Sequence, residues 1–198
     1  MSSFGYKLAK VILGPIFKFK CKPTVIGKEM IPKDGPIILC GNHMHVLDQC
    51  GPLLATNRVV HYMAKKEYFD DVKTRWFFKM VGCISVDRGN PVEAKKAKEK
   101  AIEILKEGGA IGIFPEGTRN KTDAFLLPFK FGAVSMAQKA SATIVPFAVT
   151  GEYKRDGNLI VRFGNPFKVD DLSLEEANDK LFNTIKSLKE ESLKSYEK

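Results

Sequence analysis

In the run Cys40-Gly41-Asn42-His43-Met44-His45-Val46-Leu47-Asp48-Gln49, a histidine is followed five positions later by an aspartate. A neutral imidazole takes a proton near neutral pH. A carboxylate on its other nitrogen fixes the tautomer and supports the imidazolium. His43 and Asp48 are therefore a candidate general base and its orienting acid; the alternative is a plain structural hydrogen bond. On a regular helix the offset is about 140° around the axis, so the two do not share a face. They meet only through a turn, with His43 at a strand end and Asp48 on the first turn of a helix. Metal chemistry is a weaker reading: His43, His45 and His61 could suggest zinc, but His43-x-His45 has no nearby third ligand at convincing spacing. Cys21, Cys40, Cys50 and Cys83 show no C-x-x-C spacing and read as free buried thiols in a reducing compartment.

The elements that position His43 follow from hydropathy and breakers. Pro36-Ile37-Ile38-Leu39-Cys40 predicts a buried strand after a Pro/Gly break, ending just before His43. Residues 24–35 predict a strand and a turn before it. Val59–Met63 predicts a second buried strand, with Ala64-Lys65-Lys66-Glu67 just past its end. Gly82–Val86 predicts another, closed by Asp87-Arg88-Gly89. Ala110–Phe114 leads into Pro115-Glu116-Gly117-Thr118-Arg119. Between these lie helices. Phe69–Met80 carries an apolar face that suits core packing or an acyl-binding wall. Asn90, Pro91 and Glu93 form a capping-box pattern for a helix to about Glu107, whose buried stripe is Ala97, Ala101, Ile104 and Leu105. Gly108-Gly109 stops it.

A helix over Lys130–Ala140 precedes a strand at Thr143–Val149. Pro146 donates no ladder bond, which places it at an edge, a bulge or a strand end. Leu159–Phe163 is a last short strand. Ser173 and Glu176 form a second capping box, before a helix that buries Leu174, Ala177, Leu181, Ile185 and Leu188. The fold class is α/β: a single domain with a central, mostly parallel sheet flanked by helices, plus an N-terminal basic amphipathic helical segment.

In open α/β sheets, ligands bind beyond the carboxyl ends of the strands. If these strands are parallel, an imidazole base, at least three cations and a glycine-opened turn converge on one pocket. Cations with exposed backbone N–H groups hold a phosphate, and arginine adds bidentate geometry. With apolar surface from the Phe-rich stretches, this describes an enzyme acting on a hydroxyl of a phosphorylated lipid. Taken singly, each cluster is also a helix cap or a surface ion pair.

The 198 residues suit one domain with a sizeable core, and a net charge of +9 favours anionic partners. The lysines are spread over helix faces with no interleaved stacking aromatics, which argues against nucleic acid. Before Glu29 there is no acid, only Lys7, Lys10, Lys18, Lys20, Lys22 and Lys28 between apolar residues. Gly14-Pro15 is expected to break or kink this run. Its apolar part falls short of the roughly 20 residues a bilayer span needs, and no signal-peptide cleavage site stands out. Residues 1–23 are therefore read as a membrane-interface segment and 24–198 as the α/β domain. The alternative is a helix packed on its own domain.

Asn42-His43-x-x-x-x-Asp48, with Phe114-Pro115-Glu116-Gly117-Thr118-Arg119 about seventy residues later, resembles the glycerophospholipid acyltransferase family. Val86-Asp87-Arg88 and Ile144-Val145-Pro146 look like two further family blocks, and the match covers roughly residues 25–150. The resemblance implies acyl transfer from acyl-CoA or acyl carrier protein to the sn-2 hydroxyl of lysophosphatidic acid, giving phosphatidic acid at the cytoplasmic face of an anionic membrane. In that scheme His43 is the base and Asp48 orients it. Lys65 (or Lys66), Arg88, Glu116, Gly117, Thr118 and Arg119 shape the glycerol-phosphate site. Pro146 lies on the acyl-donor side. No cofactor, metal or covalent acyl-enzyme is implied. Other acceptors, such as glycerol-3-phosphate, and thioester hydrolysis are the competing activities. Two departures stand out: His45 replaces a small hydroxyl residue, and Ser85 an aromatic or aliphatic one.

Overall fold

The computed structural model describes residues 3–196. In chain order the elements are α1 (Ser3–Cys21), β1 (Thr24–Ile26), β2 (Ile37–Gly41), α2 (Cys50–Ala55), β3 (Val60–Lys65), α3 (Glu67–Asp70), α4 (Val72–Met80), β4 (Ile84–Val86), α5 (Pro91–Lys106), β5 (Ala110–Ile113), α6 (Gly132–Ala140), β6 (Thr143–Thr150), β7 (Ile160–Phe163) and α7 (Leu174–Lys194). The strands form one sheet in the order β1-β7-β6-β2-β5-β3-β4. From β6 to β4 all neighbours are parallel, while β7 is antiparallel to β6 and β1 follows β7.

β2 is buried along its whole length. Its residues alternate between two cores. Ile37 and Leu39 pack with Tyr6, Phe17 and Cys21 of α1 and with Cys50 and Leu53 of α2. Ile38 and Cys40 pack with α5, α6 and α7 on the other face. A strand covered on both sides reads as a continuous apolar run, which is the pattern at 36–40.

The caps form as the residue types dictate. Asn90 accepts from the N–H groups of Val92 and Glu93, and Ser173 closes a reciprocal capping box with Glu176. Glu93 pairs sideways with Lys96 at 2.7 Å. The α5 stripe of Ala97, Ala101, Ile104 and Leu105 is buried as expected.

Other expectations are corrected. Gly14-Pro15 does not break α1, which runs through it; Tyr6, Ala9, Phe17 and Cys21 anchor the helix on both sides of the proline. Phe69–Met80 is not one helix. Asp71 adopts extended backbone between α3 and α4, and its side chain accepts from the Lys73 N–H, capping α4 afresh. α6 starts at Gly132 rather than Lys130. Leu174 is exposed, and α7 buries Asn178 and Ser192 instead.

Pro146 sits inside a central strand, between β2 and β7. Its carbonyl accepts from the Gly164 N–H, so its own nitrogen faces the β7 side. There the register runs from Phe147↔Phe163 to an isolated bridge at Ile144↔Phe167, leaving an extra residue on the facing segment. The missing N–H falls at that bulge.

Candidate active site

Four hydrogen bonds place His43 just beyond β2. Asn42, buried beside it, uses its amide to accept from the Val149 N–H at 2.7 Å and donate to the Val149 carbonyl at 3.0 Å. That ties the end of β2 to β6, a double role an amide side chain can fill. The His43 N–H donates to Glu116 Oε1 at 2.6 Å, and its carbonyl accepts from the Asn120 N–H at 2.7 Å. The β5 loop therefore grips the His43 backbone from both ends.

Asp48 lies in the turn before α2, two residues ahead of that helix, and is fully buried. A buried carboxylate must be met by donors. The loop winds around it to supply them. Oδ2 accepts from His43 Nδ1 at 2.6 Å and from the N–H groups of Met44 and His45 at 2.8 Å each. Oδ1 accepts from the Tyr153 hydroxyl. With Asp48 ionised, Nδ1 carries the proton and Nε2 is the basic nitrogen of the ring. The imidazole stacks on Phe114, with centroids 4.3 Å apart and planes 11° apart.

The His43 side chain is 21% exposed and opens into a cavity of about 1110 Å³. Because β2, β5, β3 and β4 are adjacent and parallel, the residues past their ends do converge. Lys65, Arg88, Gly117, Thr118 and Arg119 all line the cavity with His43. Gly117 holds φ +72°, a conformation L side chains rarely adopt, and its carbonyl accepts from Arg88 Nη1. A Cβ there would meet the Lys130 side chain at 2.9 Å. Lys66 is turned away into an ion pair with Asp70 at 2.6 Å, so Lys65 is the lysine of that pair that reaches the site.

Seven cations line the cavity: Lys20, Lys65, Arg88, Lys98, Arg119, Lys121 and Lys130. No carboxylate of the described residues does. Such a field favours an anion and excludes the positively charged alternatives. The remaining wall is apolar: Leu13 and Phe17 of α1, Leu53 of α2, Met63 of β3, and Phe77 and Phe78 of α4. The helix around Phe77 buries none of its residues in the core, so its aromatic face belongs to the cavity.

Two expected site residues stand elsewhere. Glu116 is 3% exposed; Oε1 holds the His43 N–H and Oε2 the Leu127 N–H at 2.8 Å. It clasps the walls together and is absent from the cavity lining, because two backbone donors claim its oxygens. Pro146 is buried in β6 and does not line the cavity either, so any influence on the acyl donor is indirect. His45 is turned aside as well. Its ring stacks on Tyr153 and its Nδ1 accepts from the Leu47 N–H at 3.2 Å. His61 is tied to the Gly82 carbonyl. Cys50 lines the cavity, but burial pushes its thiol up to about 12, which keeps it protonated and poorly nucleophilic at neutral pH.

Sequence reasoning missed Lys130 and Tyr153. Lys130 was only the start of a helix; what marks it is its packing on Gly117. Tyr153 is 105 positions from Asp48 and carries no local motif.

Comparison with known proteins bears on this geometry. A family model described as Acyltransferase matches residues 22–150. The chain is 32% identical over 183 residues to a 1-acyl-sn-glycerol-3-phosphate acyltransferase of Bacillus subtilis (strain 168), covering 89% of each. A protein of the same description from Borreliella burgdorferi is 34% identical over 125 residues, 63% of this chain and 50% of that one. The crystal structure of the 1-acyl-sn-glycerophosphate (LPA) acyltransferase PlsC from Thermotoga maritima superimposes with a TM-score of 0.78 at 25% identity, over 92% of this chain and 77% of that one.

Proposed function

Because the chain belongs to the acyltransferase family, we propose that it moves a fatty acyl group from an acyl thioester, acyl-CoA or acyl carrier protein, to the sn-2 hydroxyl of 1-acyl-glycerol-3-phosphate. The product is phosphatidic acid, in phospholipid synthesis. The observation that carries this reading is a single cavity lined by an oriented imidazole, a cluster of cations and apolar and aromatic side chains. The names of the relatives agree with it.

The chemistry is a direct transfer. His43 Nε2 takes the proton of the acceptor hydroxyl as its oxygen attacks the thioester carbonyl carbon. The C–S bond breaks, and the leaving thiolate receives that proton back from the imidazolium. Asp48 holds Nδ1 throughout and stabilises the transient cation. Arg88, Arg119, Lys65 and Lys130 surround the acceptor phosphate, with Gly117 and Thr118 allowing its close approach. The apolar wall takes acyl chain, at about 0.8 kcal/mol per buried methylene. These steps balance without a metal or an organic cofactor; the thioester is a co-substrate.

Thiol release from palmitoyl-CoA and palmitoyl-acyl carrier protein, each with and without lysophosphatidic acid, tests this. Release that depends on acceptor supports the transfer and names the donor. Release without acceptor means a hydrolase. Arg119→Ala should raise the KM for lysophosphatidic acid about tenfold or more, the worth of a charge-assisted bond. Arg119→Lys should recover only part, since a point charge replaces a planar fork. An unchanged KM would count against the clamp.

α1 supports peripheral attachment to an anionic membrane surface; we infer the cytoplasmic face from the family resemblance alone. One side of the helix packs on the core through Tyr6, Phe17 and Cys21. The opposite side exposes Phe4, Leu8, Val11, Ile12, Ile16 and Phe19. At 100° per residue these fall within an arc of about 140°, edged by Lys7 and Lys18 on one side and Lys20 on the other. This is the pattern of a helix lying in the interface plane. No helix among the described residues is long and apolar enough to cross a membrane. The double substitution Val11→Glu, Ile12→Glu leaves the packed face intact. It should weaken cosedimentation with phosphatidylglycerol vesicles at least tenfold; unaltered binding would remove α1 from the contact.

A further inference from the structure

We propose that Tyr153 is a positioning residue for the His43–Asp48 pair: its phenol holds one carboxylate oxygen of Asp48, so that the other faces the imidazole and its pull on the ring proton is moderated. The proposal rests on the reading of His43 as the base.

Tyr153 stands in the turn after β6, where the Glu152 N–H donates to the Gly157 carbonyl at 2.7 Å. Its ring stacks on His45 with centroids 4.2 Å apart and packs against Phe17 at 6.1 Å. The hydroxyl is thereby aimed from two sides at Asp48 Oδ1. The division of donors is the point. Oδ2 serves His43, Met44 and His45, whereas Oδ1 is served by Tyr153. Burial, and then the negative charge of Asp48, push the phenol well above its usual range, so it stays protonated and donates. Each donor spreads the carboxylate charge and weakens it as an acceptor for the next. Without the phenol, Oδ1 is a buried, unmet acceptor. Asp48 then draws harder on the Nδ1–H, and the better-stabilised imidazolium gives its Nε2 proton less readily to the leaving thiolate.

Several other groups face the pair. Glu116 holds the His43 N–H. Tyr62 of β3 and Cys50 of α2 lie within electrostatic reach of Asp48. His45 lies under the Tyr153 ring. Lys65, Arg88 and Arg119 line the same cavity. Tyr153→Phe alters none of them and keeps the ring stacked.

The test compares the native chain with Tyr153→Phe in three ways: kcat and KM for both substrates, the pH profile of kcat/KM, and the deshielded proton resonance of His43 Nδ1–H. Expected are a kcat about tenfold lower with both KM values within about twofold, an acid limb moved to higher pH, and a resonance moved downfield. A lower kcat or lower thermal midpoint with limb and resonance unmoved makes the phenol merely structural and overturns the proposal, as does a wild-type-like variant. The resonance needs no turnover. If it moves in the variant while neither protein transfers acyl groups, the positioning role stands and the acyltransferase reading falls.

Discussion

His43→Ala is expected to lower acceptor-dependent thiol release by about 10² to 10⁴-fold, the range for a lost general base. The argument is one of geometry. Nδ1 is committed to Asp48 at 2.6 Å, and the ring stacks on Phe114, which lines the cavity with it. Its Nε2 is the imidazole nitrogen left to take a proton there. The substitution spares the fold, because the clasps on residue 43 run through its backbone, to Glu116 and Asn120. Asp48 keeps its bonds to Met44, His45 and Tyr153. The fall should therefore appear in kcat, with a far-ultraviolet circular dichroism spectrum like that of the native chain. Full retained activity would take His43 out of the mechanism.

The largest stability effect should come from Glu116→Ala. Its two oxygens satisfy the N–H groups of His43 and Leu127, and the residue is 3% exposed. Removing it leaves two part-buried backbone donors without their partner, at up to about 1–3 kcal/mol each. For a domain of this size that corresponds to a thermal midpoint lower by on the order of 10 °C. Turnover should fall too, since the His43 backbone loses an anchor. The expectation separates two roles. A carboxylate that only contacts substrate would change KM and leave the midpoint alone; an unmoved midpoint would return Glu116 to that role.

Much of this site was legible before any tertiary contact was known, for physical reasons. A strand buried on both faces must be apolar throughout, which marks β2 and puts His43 past its end. Asn90, Ser173 and Gly108 mark helix ends because backbone groups there need caps or a left-handed turn. Lys65 at the end of β3, Arg88 after β4, and Thr118 and Arg119 after β5 belong to three parallel strands that lie side by side with β3 in the middle, so the sheet gathered what the chain had spread over dozens of residues. The family motif at 42–48 and 114–119 carried the same residues by resemblance.

The tertiary structure decided the rest, because it turns on which donor meets which acceptor across long stretches of chain. A glutamate beside a glycine and an arginine has no local cue that its oxygens will be taken by His43 and Leu127. Pro146 reads as unfit for a central strand until the facing segment is seen to bulge. Lys130 and Tyr153 reach the site only because the β5 loop folds over Gly117 and the β6 turn folds over His45. The sequence by itself determined the chemistry available: a base, its acid, cations and a basic amphipathic helix. Folding alone decided which groups face the cavity and which hold it in shape, since buried charges must find their partners wherever the packed chain brings them.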